Sequence, residues 1–110
     1  MSQIPPVWMM RGNRWELTIQ RALEIVSSNY SIPISEIIGR RRTARVVWAR
    51  QVLHWALAEL ADFSVSEIGR SLKRDHATII HNRKAVNNAR DTYKIVREET
   101  DAIIETLKSL

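Results

Sequence analysis

Asp75, His76 and Thr78 fall within four residues of one another in the stretch FSVSEIGRSLKRDHATIIHNRKA, residues 63–85. Between them they can accept, donate and pack. A carboxylate accepts from the amino group of cytosine, an imidazole donates or accepts, and the methyls of Thr78 and Ala77 fit the methyl of thymine. Gathered at the start of a helix, these side chains would form a head for reading base edges. Lys73 and Arg74 precede the head and Arg83 and Lys84 follow it, where they would meet phosphate or solvate the surface. A second concentration of charge is Arg40, Arg41 and Arg42, with Arg45 shortly after, and it has no acidic neighbour nearer than Glu36. Three consecutive arginines in a short connection make a phosphate clamp with little freedom. Arginine is also the side chain that enters narrow A·T-rich minor grooves.

The flanking residues predict how such a head would be held. Ser64 with Glu67 three residues later is a capping box that starts a helix, and Val65, Ile68 and Leu72 give that helix one buried stripe. Gly69 inside it costs about 1 kcal/mol relative to alanine, which close approach of a second helix would offset. Only Lys73 and Arg74 separate Leu72 from Asp75, whose carboxylate can cap the next helix. In that helix Ile79, Ile80 and Val86 are expected to face inward, leaving His76, Ala77, Thr78, His81, Arg83 and Lys84 outside or at the edge. The pair of helices has the layout of a helix-turn-helix.

Upstream, a first helix is expected from Leu17 to Asn29, and a short one through Ile34, Ile37 and Ile38 begins after Pro33 and ends at Gly39. Val46 to Ala61 reads as the strongest helix. Val46, Ala49, Leu53, Ala56, Leu57 and Leu60 line one face, and Trp48, Val52 and Trp55 widen it, as in a central helix packed on two sides. The tryptophans are expected in the core. Residues 1–15, with Pro5, Pro6 and Gly12 and no periodicity, read as an irregular arm whose Trp8, Met9 and Met10 pack on the domain's own surface. Residues 16–110 are then one helix-turn-helix domain.

The run EIGRSLKRDHATIIHNRKAV resembles the signature of the C-terminal DNA-binding domain of the bacterial replication initiator DnaA. The resemblance extends over roughly residues 17 to 110: long helix, short helix, basic loop, second long helix, helix-turn-helix, and a closing helix from Tyr93 to Leu107. It implies an all-α fold, a compact helical bundle containing a helix-turn-helix, similar to the DnaA C-terminal domain and Trp-repressor-like. It also implies that Arg42 reaches the minor groove while Asp75, His76, Ala77 and Thr78 read the major groove. Arg50 matches a phosphate-contact position of the family, and Gln51 its neighbour. Lys73 stands where the family has glycine, Ala77 where it has threonine, and Ala44 and Trp48 where it often has basic residues.

Composition agrees with a small binding domain. Of the 17 Lys and Arg and 12 Asp and Glu in 110 residues, 13 basic and 5 acidic lie between residues 40 and 97, a net of +8, against −3 elsewhere. The positive charge coincides with the proposed DNA-binding unit. Cysteine is absent, which excludes disulfides, a thiol nucleophile and a zinc finger. His76 and His81 are five residues apart, about 140° around a helix, and do not form a metal pair. No cofactor is implied, no catalytic spacing is present, and no G-x-x-x-x-G-K-[ST] loop occurs for a nucleotide. No run is long enough to span a bilayer, so a stand-alone cytoplasmic DNA-binding protein lacking the ATPase domain is expected. Double-stranded DNA is the expected partner, with regulation of transcription or replication at A·T-rich initiator-type sites as the role. The alternative is an interaction module that uses the same helices to bind a replication or transcription protein, for which the apolar arm and the acidic closing helix with Glu98, Glu99, Asp101 and Glu105 speak.

Overall fold

A computed structural model describes residues 7–60 and 63–109, with side chains from residue 16 onward. Six helices follow in order among these residues: α1 (Val7–Tyr30), α2 (Ile34–Ile38), α3 (Ala44–Glu59), α4 (Val65–Leu72), α5 (His76–Thr92) and α6 (Lys94–Lys108). The architecture is all-α, as expected. One boundary is corrected: α1 begins at Val7, so residues 7–15 continue the first helix and are not an irregular arm. Residues 1–6 lie outside the described residues, as do the side chains of Trp8, Met9 and Met10 and the predicted end of α3 at Ala61.

The fold is organised around α3, which packs against each of the other five helices. Its sequence dictates this. Val46, Ala49, Val52, Leu53, Trp55, Ala56 and Leu57 are all buried, so apolar residues cover nearly its whole circumference. A helix of that kind must lie inside a bundle. Leu60 is only half-buried. Ala22, Leu23 and Val26 of α1, Ile37 of α2, Ile68 of α4, Ile79 and Val86 of α5, and Ile103 and Leu107 of α6 complete one continuous core.

Polar bonds then fix rotations that apolar packing alone leaves loose. Trp55 Nε1 donates to Asn87 Oδ1 at 2.9 Å, Gln51 Nε2 to Asn82 Oδ1 at 3.3 Å, and Asn82 Nδ2 to His54 Nδ1 at 2.8 Å. These three bonds key α5 to α3. His54 is 1% exposed. Burial first, then the charges of Arg74 and Arg50, push its imidazole down to about 4, so the ring is neutral and accepts through Nδ1. On the other side, Trp48 Nε1 donates to Tyr30 Oη at 3.2 Å and Tyr30 Oη donates to Glu99 Oε2 at 2.9 Å, tying α3, α1 and α6.

Candidate nucleic-acid interface

Ser64 caps α4 as its sequence predicts, its Oγ accepting from Glu67 N at 3.1 Å. The helix ends in a tight reversal. Lys73 adopts the left-handed conformation (φ 56°, ψ 48°), its N–H reaching Arg70 O at 3.4 Å, while Arg74 N donates to Gly69 O at 2.7 Å. This is a Schellman turn with lysine in the place glycine favours. The turn brings the start of α5 down onto Gly69, where an added Cβ would lie 2.6 Å from Arg74 O and 3.3 Å from His76 N. Close helix approach is thus the reason for the glycine. Asp75 caps α5, its Oδ1 accepting from Ala77 N at 3.1 Å and lying 3.4 Å from His76 Nδ1.

Along α5, Ile79, Asn82 and Val86 face the core. His76, Ala77, Thr78, His81, Arg83 and Lys84 are exposed, so the predicted head and the flanking cations stand outside. The inward assignment of Ile80 is corrected: it is 50% exposed. Its neighbour Ile79, about 100° away on the helix, takes the core position. Arg83 is tethered through Nε to Glu59 Oε1 at 3.2 Å.

The loop of residues 39–43 carries Arg40, Arg41 and Arg42, all exposed, and Arg45 is exposed on the first turn of α3. Arg41 pairs with Glu36 at 2.8 Å and Arg45 Nη2 donates to Tyr30 O at 2.7 Å. Thr43 precedes α3 without a side-chain capping bond.

Two of the predicted phosphate ligands have internal duties instead. Arg50 is 9% exposed, and its Nε and Nη2 donate to Ile37 O at 2.8 Å and Glu36 O at 3.0 Å. The expectation that Arg50 offers an open guanidinium to phosphate is corrected accordingly. Arg74, half-buried, donates from Nη2 to Ile38 O at 3.3 Å and to Gly39 O. Four consecutive carbonyls at the C-terminal end of α2 are therefore taken by two arginines, one from α3 and one from the turn before α5. A helix end leaves its last carbonyls unpaired and slightly negative, which is the physical demand these cations meet. The result is a bridge between the arginine loop and the base of the head.

The bridge leaves the region electrostatically strained. Burial is the main cause of the lowered pKa of Arg50, with Arg74 and Arg42 adding repulsion; for Arg74 burial is again first and Arg40 second. Arg50 and Arg74 have their hydrogen bonds satisfied by neutral carbonyls, which leave their charges uncancelled. Among the described residues no group of three or more His, Cys, Asp or Glu side chains could hold a metal ion, and no helix is long and apolar enough to cross a membrane.

The capped helix, tight reversal and outward-facing second helix define a helix-turn-helix domain inside a bundle built on α3. The family model for the bacterial dnaA protein helix-turn-helix matches residues 19–86, and the chain belongs to that family. It is 26% identical over 93 residues to the chromosomal replication initiator protein DnaA of Thermoanaerobacter sp. (strain X514), covering 84% of this chain and 21% of that protein. It is 32% identical over 73 residues to the DnaA of Caldanaerobacter subterraneus subsp. tengcongensis, covering 66% of this chain and 16% of that protein. The chain thus spans about a fifth of the length of the relatives it matches. Among solved structures, a DNA replication initiation factor superposes with a TM-score of 0.74 at 23% identity, and a replication initiator DnaA bound to AMPPCP and single-stranded DNA with 0.72 at 24%. Each match covers 90% of this chain and 32% of the other, and at these identities it bears on the fold.

Proposed function

We infer that this domain binds double-stranded DNA in a sequence-specific manner and serves as a regulator of replication or transcription at A·T-rich initiator-type sites. The observation that carries the reading is the exposed head at the N-terminus of α5, tied through Arg74 to a loop bearing three exposed arginines. In this reading α5 enters the major groove, and Asp75, His76, Ala77 and Thr78 meet base edges. Arg42 probes the neighbouring minor groove while Arg40, Arg41, Arg45, Lys73, Arg83 and Lys84 hold phosphates. The first-turn amides of α3, left without a side-chain cap, can donate to a phosphate as well. Arg50 and Arg74 act as positioning residues, holding loop and head at a fixed separation. Crowded cations with few acids gain most from a polyanion, which relieves their mutual repulsion.

Selection of bound sequences from a random duplex pool at physiological salt tests this. An A·T-rich motif is expected, with log K falling against log salt by about 0.9 per phosphate contact. Arg42→Ala should weaken specific binding by roughly 1 to 3 kcal/mol and relax preference at one edge of the motif. Affinity indifferent to salt, or no enriched motif, would overturn the reading and favour a protein partner.

A further inference from the structure

Ile80 breaks the pattern of its helix. It is 50% exposed, although Ile79 and Val86 of the same helix are fully buried. A single exposed aliphatic residue is ordinary on a protein surface, so exposure alone decides nothing. Its position does. At about 100° per residue it falls about 40° from His76 and about 60° from Ala77, and about 100° to 160° away from the buried Ile79, Asn82 and Val86. It therefore stands one turn beyond His76 on the same ridge, with exposed His81 and Lys84 beside and beyond it. The rise from His76 is about 6 Å, close to two base-pair steps.

We propose that Ile80 is a specificity-determining residue that packs against the C5-methyl of one thymine in the bound site. This rests on the reading of α5 as a major-groove helix and adds a contact to it. The chemistry is selective because thymine alone among the four bases presents a methyl in that groove. An aliphatic side chain offers no hydrogen bond there, so apolar contact is what it can discriminate by. Isoleucine suits the task, since branching at Cβ restricts χ1 and holds the terminal methyls in few positions. Ala77, the shorter apolar residue of the head, leaves space within reach of the longer Ile80, so the two can read neighbouring positions. The sequence hides this because an Ile-Ile pair in a helix reads as core until the structure shows which of the two turns outward.

The test uses the duplex site enriched by the wild-type protein, with each thymine replaced singly by deoxyuridine, which removes the methyl and keeps the pairing. One position is expected at which the replacement weakens wild-type binding about three- to fivefold, the worth of one apolar carbon. Ile80→Ala should lose a similar factor on the unmodified site and be indifferent to deoxyuridine at that position, and Ile80→Val should retain part of the methyl dependence. Alanine is the best helix former, so Ile80→Ala is expected to fold, and helix content and thermal unfolding verify it. The inference is overturned if folded Ile80→Ala binds as wild type, or if it weakens binding yet keeps wild-type sensitivity at every thymine. Absence of any enriched motif would instead bring down the DNA-reading function itself, whereas an enriched motif without the shared methyl position removes Ile80 alone.

Discussion

Arg74 and Arg90 place the same guanidinium at opposite ends of α5 in opposite electrostatic settings. Arg90 Nη1 donates to Thr100 Oγ1 at 2.6 Å and to Asp101 Oδ1 at 2.8 Å, and its guanidinium carbon lies 4.9 Å from the centroid of the Trp55 ring. Its charge is cancelled within the molecule. Among the described residues Arg74 donates to the neutral carbonyls of Ile38 and Gly39, with Arg40 adding repulsion. Hydrogen bonding is satisfied at both ends, but only the distal end is neutralised. The contrast separates two uses of arginine that composition cannot tell apart: a cation paired to an acid closes a structure, and one paired to carbonyls builds a structure that still attracts an anion.

The strongest way to break the front end leaves charge untouched. Gly69→Ala puts a methyl against backbone that has no rotamer to yield, and the strain should lower unfolding free energy by about 3 kcal/mol. Chemical denaturation reads this. An exposed site such as Ala77→Ser should stay within about 0.5 kcal/mol in the same measurement.

Burial, reinforced by the positive charges of the front, makes one core group sensitive to pH. His54 titrates near 4 in the folded protein, below its ordinary 6.5, so the unfolded chain takes up its proton first. Stability from this group is complete above about pH 6.5, is lost as pH falls, and levels off below about 4, for a total of roughly 3 kcal/mol. His54→Gln, which keeps an acceptor for Asn82, should remove that part of the pH dependence. Denaturation of both proteins at pH 7 and pH 4.5 checks it.

The two arginines themselves sharpen the comparison. Arg90→Ala should cost about 1 kcal/mol of stability by removing the bonds to Thr100 and Asp101 and the cation over Trp55, while the Thr100 hydroxyl keeps its bond to Val96 O, with DNA affinity unchanged. Arg74→Ala should reverse the emphasis, with DNA affinity falling at least tenfold as loop and head lose their common anchor. Paired melts and titrations decide. Equal stability losses with equal affinity would erase the distinction.

The smallest effect is expected at the turn. Lys73→Gly relieves a left-handed backbone held by a side-chain-bearing residue, so stability should rise by up to about 1 kcal/mol. If Lys73 also holds a phosphate, the salt dependence of binding should lose about one contact.

Much of the fold was legible because local physics dictated it. Ser64 and Asp75 cap because their oxygens suit orphan amides, and Gly69 announces a close approach by its cost. The all-round apolar α3 must be central. The exposure of the first turn of α5 was legible too, since Asp75 caps it and His76, Ala77 and Thr78 follow with no apolar residue among them to bury but alanine. Three things were not. Arginines in a basic sequence read alike whether they face phosphate or carbonyl, so the inward turn of Arg50 escaped notice; the brevity of α2, with four terminal carbonyls to satisfy, was the available hint. The Ile79-Ile80 doublet could not say which member is core. Side-chain polarity alone could not show that His54 and Asn82 pair with each other across α3 and α5.

The arginine-to-carbonyl bridge has a consequence for the cycle of capture and release. Its acceptors are uncharged and its donors are partly sheltered, so dissolved ions that would shield phosphate from Arg40 or Lys84 in the proposed complex have little purchase on the bonds that set the distance between loop and helix. A rise in ionic strength would loosen the hold on DNA while leaving the instrument in register. In the proposed reading the domain would therefore leave one stretch of duplex and meet the next already assembled, with little ordering entropy lost at each encounter.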